Sequence, residues 1–515
     1  MLLKYSLIFV IILFTQPSFA QTTKNLHWKI LQAGWNPKYE TDYQNFIHNI
    51  GMARKNGKCT TTDQCLKNPI ANPMYYKKNP TSLKSIFSDC ADLPFILRAY
   101  FSWMNDLPFT YPTDLIEAKN FSQNLQDIRY SKYGNIITEK SFIKNGENIN
   151  DIFQSITDSI STASFRTNAA TNDFGKLFRD TYPIEIDQKV LVPGTILYDA
   201  NGHVAIVYDV TTNGKIHLID AHPDNSLTTL IYGEKFARTN VKIGGGFSNF
   251  RPFSVIKNVI YPVPNKDLSG YSLIQFQKGP FIYRGETLTF YEYVRKKLAD
   301  DINLDPIAEF KEFMDELCQD IKYREAAVNL SLNSNIQNLK HPKILPENIY
   351  GTDGEWETFA SPSRDARLKA SVREGKEFLI KVIQASFNNI FLNYSGENLV
   401  PELREIYLNK SQSCQVHVNQ NTIINLDFIL KNLFALSFDP YHCPELRWGI
   451  INSETCPNNS NKVAWYEAEQ GLRNRIDRDY SIKTNYEVDS LSNAPASQVE
   501  KPDLDYAQLL EIIRY

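Results

Sequence analysis

Residues 196–222 read ILYDANGHVAIVYDVTTNGKIHLIDAH and contain three short runs rich in β-branched and aromatic residues. The runs extend from Ile196 to Tyr198, from His203 to Val210 and from Lys215 to Ala221. Runs of this kind, separated by Gly, Asn and Asp, are typical of β-strands. Asn213-Gly214 stands between the last two runs and favours a turn between antiparallel strands. We therefore predict an antiparallel sheet here.

His203 opens the middle strand of this sheet, and the unbroken apolar run behind it predicts a strand that is covered on both faces. Residues that lie opposite each other in an antiparallel pair share a face. If the ladder is regular, Asp220 and His222 both share the face of His203, and the register alone does not choose between them. We favour Asp220 as the partner of His203, because a carboxylate within an apolar strand needs a partner.

A second informative stretch is Ser88-Asp89-Cys90-Ala91-Asp92-Leu93. Apolar residues follow it at helical spacing as far as Met104, which places Cys90 at the start of a predicted helix. Pro94 leaves two possibilities: the helix begins near Asp92, with Cys90 in the turn before it, or its first turn is distorted. A helix start and a nearby imidazolium both favour the thiolate, which is the nucleophilic form of cysteine.

The first twenty residues are typical of a secretory signal peptide. Lys4 precedes an apolar run from Leu7 to Phe14, and Ser18-Phe19-Ala20 resembles a cleavage site. We expect cleavage after Ala20 and export to the periplasm or the medium, without later insertion into a membrane. The net charge of −3, from 55 basic and 58 acidic residues, argues against binding of nucleic acid.

The chain contains seven cysteines, so an oxidising compartment would leave at least one thiol unpaired. Cys59 and Cys65 lie close together in sequence, and so do Cys443 and Cys456. Pairing within each couple would leave Cys318 to pair with Cys414, although six cysteines allow fifteen connectivities. Cys90 is then the free thiol.

The length of 515 residues predicts at least two domains. We expect an α+β domain over residues 21–262, a mainly helical accessory domain over 285–480 that positions a substrate or a partner, and a flexible tail over 481–515. Apolar residues at helical spacing predict helices in the second half: Phe290 to Leu298, Pro306 to Tyr323, Asp365 to Phe387, Leu426 to Leu436, Lys462 to Arg478 and, near the end, Leu504 to Ile513.

The motifs together resemble the NlpC/P60 and CHAP amidases, which belong to the papain-like cysteine hydrolase superfamily. The similarity covers residues 70–225 and rests on Asp89-Cys90, Pro193-Gly194-Thr195-Ile196-Leu197-Tyr198, Gly202-His203-Val204-Ala205-Ile206-Val207 and Ile219-Asp220-Ala221. It implies a helix packed on an antiparallel sheet, with Cys90 as nucleophile, His203 as base and Asp220 as the residue that orients the imidazole. The implied substrates are amide bonds, such as those in peptidoglycan peptides.

Two other interpretations remain open. A transglutaminase-like enzyme has the same order of Cys, His and Asp, although the Pro-Gly segment before His203 favours the amidases. The domain could also be an inactive papain-like scaffold that serves as a binding module. The chain has no CxxC or HExxH spacing, so we predict neither a metal nor a cofactor.

Overall fold

The structure is a computed structural model. It describes residues 26–78, 80–118, 127–171, 177–257, 259–299, 305–352, 354–387, 393–451 and 459–512. The predicted signal peptide therefore lies outside the described residues, and so does Cys456.

Helices occur throughout the described chain and are longest in its second half. Their bounds are α1 Pro37–Lys55, α2 Thr62–Leu66, α3 Tyr75–Lys78, α4 Asp92–Met104, α5 Ile149–Ser159, α6 Phe290–Leu298, α7 Pro306–Asn333, α8 Gly354–Phe359, α9 Pro362–Phe387, α10 Leu399–Ser413, α11 Leu426–Lys431, α12 Pro444–Arg447, α13 Asn459–Ala468, α14 Gln470–Arg473, α15 Val488–Leu491 and α16 Tyr506–Ile512.

The strands form one large sheet and several two-stranded ribbons. Their bounds are β1 Thr110–Glu117, β2 Asn135–Phe142, β3 Thr181–Pro183, β4 Ile196–Asp199, β5 His203–Val210, β6 Ile216–Ala221, β7 Leu227–Ile231, β8 Gly246–Phe250, β9 Phe253–Ile256, β10 Val259–Pro262, β11 Phe281–Tyr283, β12 Glu286–Leu288, β13 Gln415–His417 and β14 Ile423–Asn425.

The large sheet has six strands in the order β3-β8-β4-β5-β6-β7, and every pair in it is antiparallel. In the β5–β6 pair, Ile206 lies opposite Ile219, and a bulge between Val207 and Asp209 shifts the register by one residue. The predicted antiparallel sheet is confirmed, and its three predicted strands coincide with β4, β5 and β6. The molecule thus combines helices with an antiparallel sheet, as an α+β class requires.

The two faces of the sheet pack against different layers. Val204 and Ile206 point into a core shared with α1 and α4. Ala205 and Val207 point to the opposite face, where Val294 of α6 packs. This alternation follows from the two-residue period of a strand. The prediction that the middle strand is covered on both faces is confirmed, because β5 is buried from His203 to Tyr208.

We call residues 285–512 the C-terminal region, and its part from 285 to 480 is mostly helical, as predicted. Helices α7, α9 and α10 share a core that contains Leu317, Leu379 and Leu403. A disulfide joins Cys318 to Cys414, and a second joins Cys59 to Cys65, as predicted. Cys443 is also disulfide-bonded.

Three predictions for the C-terminal region differ from the structure. The helix from Leu426 ends early, at Lys431, and the helix predicted to end at Arg478 is divided at Glu469 into α13 and α14. The tail predicted to be flexible is instead packed, because Leu491 and Tyr506 are almost completely buried. Residues 481–502 are polar and lack periodicity, so a single buried apolar residue such as Leu491 could not be recognised from a pattern.

Candidate active site

Cys90 occupies the turn that leads into α4. The helix begins at Asp92, and the Asp89 carboxylate accepts hydrogen bonds from the N–H groups of Ala91 (2.8 Å) and Asp92 (3.0 Å). The N–H of Leu93 is bonded to the carbonyl of Asp89 at 3.1 Å. Of the two possibilities that Pro94 left open, the structure shows the first, a helix that starts after Cys90. Asp89 thus fixes the turn that carries the thiol.

Cys90 is the one free cysteine among the described residues and is partly buried. The backbone N–H of Val204, at the start of β5, donates a hydrogen bond to its sulfur. Burial raises the pKa of the Cys90 thiol well above its usual range, and the negative charge of Asp89 raises it further. Both effects favour the neutral thiol, in the opposite direction to the expected preference for a thiolate.

His203 and Asp220 form a direct pair. Nε2 of His203 lies 2.7 Å from Oδ2 of Asp220, and both side chains are buried. This contact leaves Nδ1 as the ring nitrogen available to a reacting group. The register alone did not choose between Asp220 and His222, and the structure joins His203 to Asp220, the partner that we favoured. The rings of His203 and His222 lie 6.3 Å apart, and Nε2 of His222 lies 3.0 Å from the Thr228 hydroxyl.

Asp220 stays ionised at the centre of this group. Burial alone would raise the pKa of Asp220, but His222, His203 and the hydroxyl of Thr228 hold it below its usual range. Burial lowers the pKa of His203, the positive charge of Arg367 lowers it further, and Asp220 opposes both effects. The arrangement holds a neutral imidazole against a carboxylate, as a general base requires.

Cys90 and the His203–Asp220 pair reach the start of β5 from different elements, close enough for the charge of Asp220 to raise the pKa of the Cys90 thiol. Asp220 stands between Ile219 and Ala221, which point into the core shared with α4, so its own side chain points to the opposite face. Cys90 approaches from the α4 side and contacts the backbone of Val204. The structure therefore brings the three predicted residues to the start of β5 but joins only His203 to Asp220 through side chains.

The C-terminal region covers the face that carries Asp220. Arg364 and Arg367, in the first turns of α9, line a small cavity of about 30 Å³ together with Asp220, His222 and Thr228. These arginines, and the role of Thr228, were not predicted from the sequence. A contact between positions more than a hundred residues apart leaves no local pattern, and without a motif the two arginines resemble ordinary helix-surface residues.

The loop before His203 is also held by the C-terminal region. Arg478 forms an ion pair with Asp199 at 2.6 Å, and both side chains are almost fully buried. The hydroxyl of Tyr480 donates to the carbonyl of Asn201, and its ring stacks on Tyr130 at 4.2 Å. These contacts fix the strand end from which His203 projects.

Residues able to hold a metal converge elsewhere. Within the described ranges, one group of three or more His, Cys, Asp or Glu side chains has converging donor atoms, and it lies in the C-terminal region. At the start of β5, the described side chains offer acid–base and nucleophilic chemistry instead.

Comparison with known proteins gives no relative for this chain: no protein-family model, curated protein or solved structure matches it. Among the described helices, none combines the length and the apolar character needed to cross a membrane.

Proposed function

We propose that this protein is a papain-like cysteine amidase or peptidase in which Cys90 is the nucleophile, His203 the base and Asp220 the residue that orients the imidazole. The observation that carries the proposal is a free thiol at a helix start, beside the strand whose first residue is paired with a buried carboxylate. A nucleophile, a base and an orienting acid at one place are the parts of a catalytic triad.

The chemistry starts from a neutral thiol and a neutral imidazole. Nδ1 of His203 takes the proton of Cys90 as the sulfur attacks the amide carbonyl, and the imidazolium returns that proton to the departing amine. Water then attacks the thioester and gives a proton to His203, the carboxylic acid leaves, and the imidazolium returns the proton to the sulfur of Cys90. The N–H groups of Ala91, Asp92 and Leu93 are already bonded to Asp89, which leaves the N–H of Cys90 to stabilise the oxyanion.

Attack requires the Cys90 thiol and the His203 ring to meet at the start of β5. His203 is the first residue of that strand, and Cys90 contacts the backbone of the next residue, Val204. We propose that substrate binding in the turn at Cys90 brings the two groups together. Catalytic hydrogen bonds often tighten only in the complex with substrate.

The proposed substrate is an amide bond in a cell-wall peptide, and the proposed location is the periplasm or the medium. Disulfides persist in oxidising compartments, and those described here support export. Purified peptidoglycan should release new amino groups with the wild-type protein and none with Cys90→Ala. Equal release from both would exclude cell-wall peptides as the substrate. Added primary amines should not enter the products, whereas a transglutaminase-like enzyme would incorporate them.

A binding module without catalysis is the second candidate. It is favoured by the raised pKa of the Cys90 thiol, which opposes formation of the nucleophilic thiolate. If this candidate is correct, wild type and Cys90→Ala should sediment equally with peptidoglycan, and neither should release amines from it. The proposed amidase predicts release by the wild type alone.

A further inference from the structure

Four side chains that can each bind a metal ion lie together in the C-terminal region, away from the proposed active site. His341 follows α7, Asp439 and His442 precede α12, and Glu469 separates α13 from α14. All four are buried, and donor atoms of His341, Asp439 and Glu469 lie within 4.8 Å of one another. We propose that these four residues bind a divalent transition-metal ion, with zinc as the best fit, and that this ion ties the three segments together.

The two histidines converge on one carboxylate oxygen. Nε2 of His341 lies 2.7 Å, and Nε2 of His442 lies 3.6 Å, from Oδ2 of Asp439. Two imidazole nitrogens with carboxylate oxygens form a common ligand set for zinc. Four protein ligands without an open position are typical of a structural site, so we expect the ion to stabilise the fold.

The tautomer of His341 supports a cation between the ligands. Nδ1 of His341 lies 2.7 Å from the carbonyl of Pro342, and a carbonyl only accepts, so Nδ1 carries the proton. In a neutral ring, Nε2 then presents a lone pair to the Asp439 carboxylate, which is also an acceptor. A second proton on the ring or a metal ion resolves this conflict, and a backbone carbonyl on the far nitrogen is the usual outer partner of a metal-bound histidine.

Glu469 provides an independent observation. Both of its carboxylate oxygens, and Nε2 of His442, are buried and accept no hydrogen bond from a described N–H or O–H group, and Glu469 can bond to Asp439 only if one of the two carboxyl groups holds a proton. Such groups are rare because each one costs free energy. Arg473 is 3.8 Å from Glu469, but its N–H groups donate to Phe434, Tyr466 and Gln470.

The negative charge of the cluster also favours a bound cation. Asp439 and Glu469 are both fully buried, and their carboxylates belong to one group of donor atoms that lie within 4.8 Å of one another. Two buried carboxylates so close together repel each other, and a divalent ion between them would remove that repulsion. Trp465 stacks on His341 at 4.2 Å and keeps water from this cluster.

The test measures zinc in the full-length protein, purified without a polyhistidine tag. We expect one zinc per chain by mass spectrometry of the metal content. After chelation, Zn²⁺ alone should bind again and raise the melting temperature. Glu469→Gln should weaken zinc binding at least about 100-fold, since removal of a direct ligand exceeds the loss of an outer-shell partner. His442→Gln should also weaken zinc binding.

His222→Ala is the matched control, because His203 and His222 also flank a carboxylate, Asp220. This variant should keep one zinc per chain. Cobalt bound to wild type and to this control should give the same visible spectrum of a tetrahedral site, and this readout does not depend on whether the Glu469 variant folds. A metal-free wild type that takes up no Zn²⁺ would overturn the proposal, as would loss of zinc in the His222 variant alone.

Discussion

At the residue scale, Arg367 sets the proton affinity of His203. Its positive charge lowers the pKa of His203, so Arg367→Met should raise that pKa. Alkylation of Cys90 needs the neutral imidazole, and the acid limb of its pH profile should therefore move to higher pH. The profile can be followed with iodoacetamide and mass spectrometry. Lys311→Met removes an exposed charge from the same region and should leave the profile unchanged. A shift to lower pH would contradict this electrostatic account.

Asp220 shifts the pKa of His203 in the opposite direction to Arg367. Its hydrogen bond and its charge both raise the pKa of His203, so Asp220→Asn should lower that pKa and move the acid limb to lower pH. The plateau rate of alkylation should also fall, by about tenfold, because the ring loses the group that fixes its tautomer and orientation. The same pH series measures both effects. An unchanged plateau would show that Asp220 has no role in orienting His203.

At the scale of elements, strands and helix starts could be predicted because their causes are local. The β-branched runs predicted β5 and β6, and the asparagine–glycine turn between them predicted their antiparallel pairing. Pro94 narrowed the start of α4 to two possibilities. The bulge in β5 and the contact of Cys90 with Val204 depend on packing between distant segments, and no local pattern encodes them.

The metal-ligand cluster could not be predicted for the same reason. His341, Asp439 and Glu469 come from three segments without a compact spacing, and only the fold brings them within reach of one ion. The division of the predicted helix at Glu469 could not be predicted either, because the helical periodicity of the sequence continues across that residue. Metal motifs that can be recognised in sequence hold most of their ligands in one or two short segments.

The two described disulfides close loops of very different length. Cys318 and Cys414 are separated by 96 residues, and Cys59 and Cys65 by 6. A disulfide stabilises the fold mainly by restricting the unfolded chain, and this effect grows with the length of the closed loop. We therefore expect Cys318→Ala with Cys414→Ala to lower the free energy of unfolding by about 4.7 kcal/mol. The double variant of Cys59 and Cys65 should lower it by about 2 kcal/mol. Urea denaturation of the two double variants gives both values. Equal losses would indicate that loop length does not govern their contributions.

At the scale of the whole molecule, the C-terminal region holds the strand end that carries His203. The ion pair between Arg478 and Asp199 is almost fully buried, so Arg478→Met leaves an uncompensated carboxylate. We expect a loss of about 3–5 kcal/mol in the free energy of unfolding, together with faster hydrogen exchange at residues 199–203. The double variant with Asp199→Asn should recover part of the loss. Unchanged exchange at those residues would mean that the ion pair does not restrain the loop.

The central claim is that Cys90 and His203 act as a pair, and the alkylation rate of Cys90 at neutral pH tests it most directly. The other described cysteines are disulfide-bonded, so iodoacetamide should label one site, and Cys90→Ala should abolish labelling. With His203 as base, His203→Asn should slow alkylation at least about tenfold in the folded protein. Equal rates in wild type and His203→Asn would contradict the account and would leave the binding module as the better description.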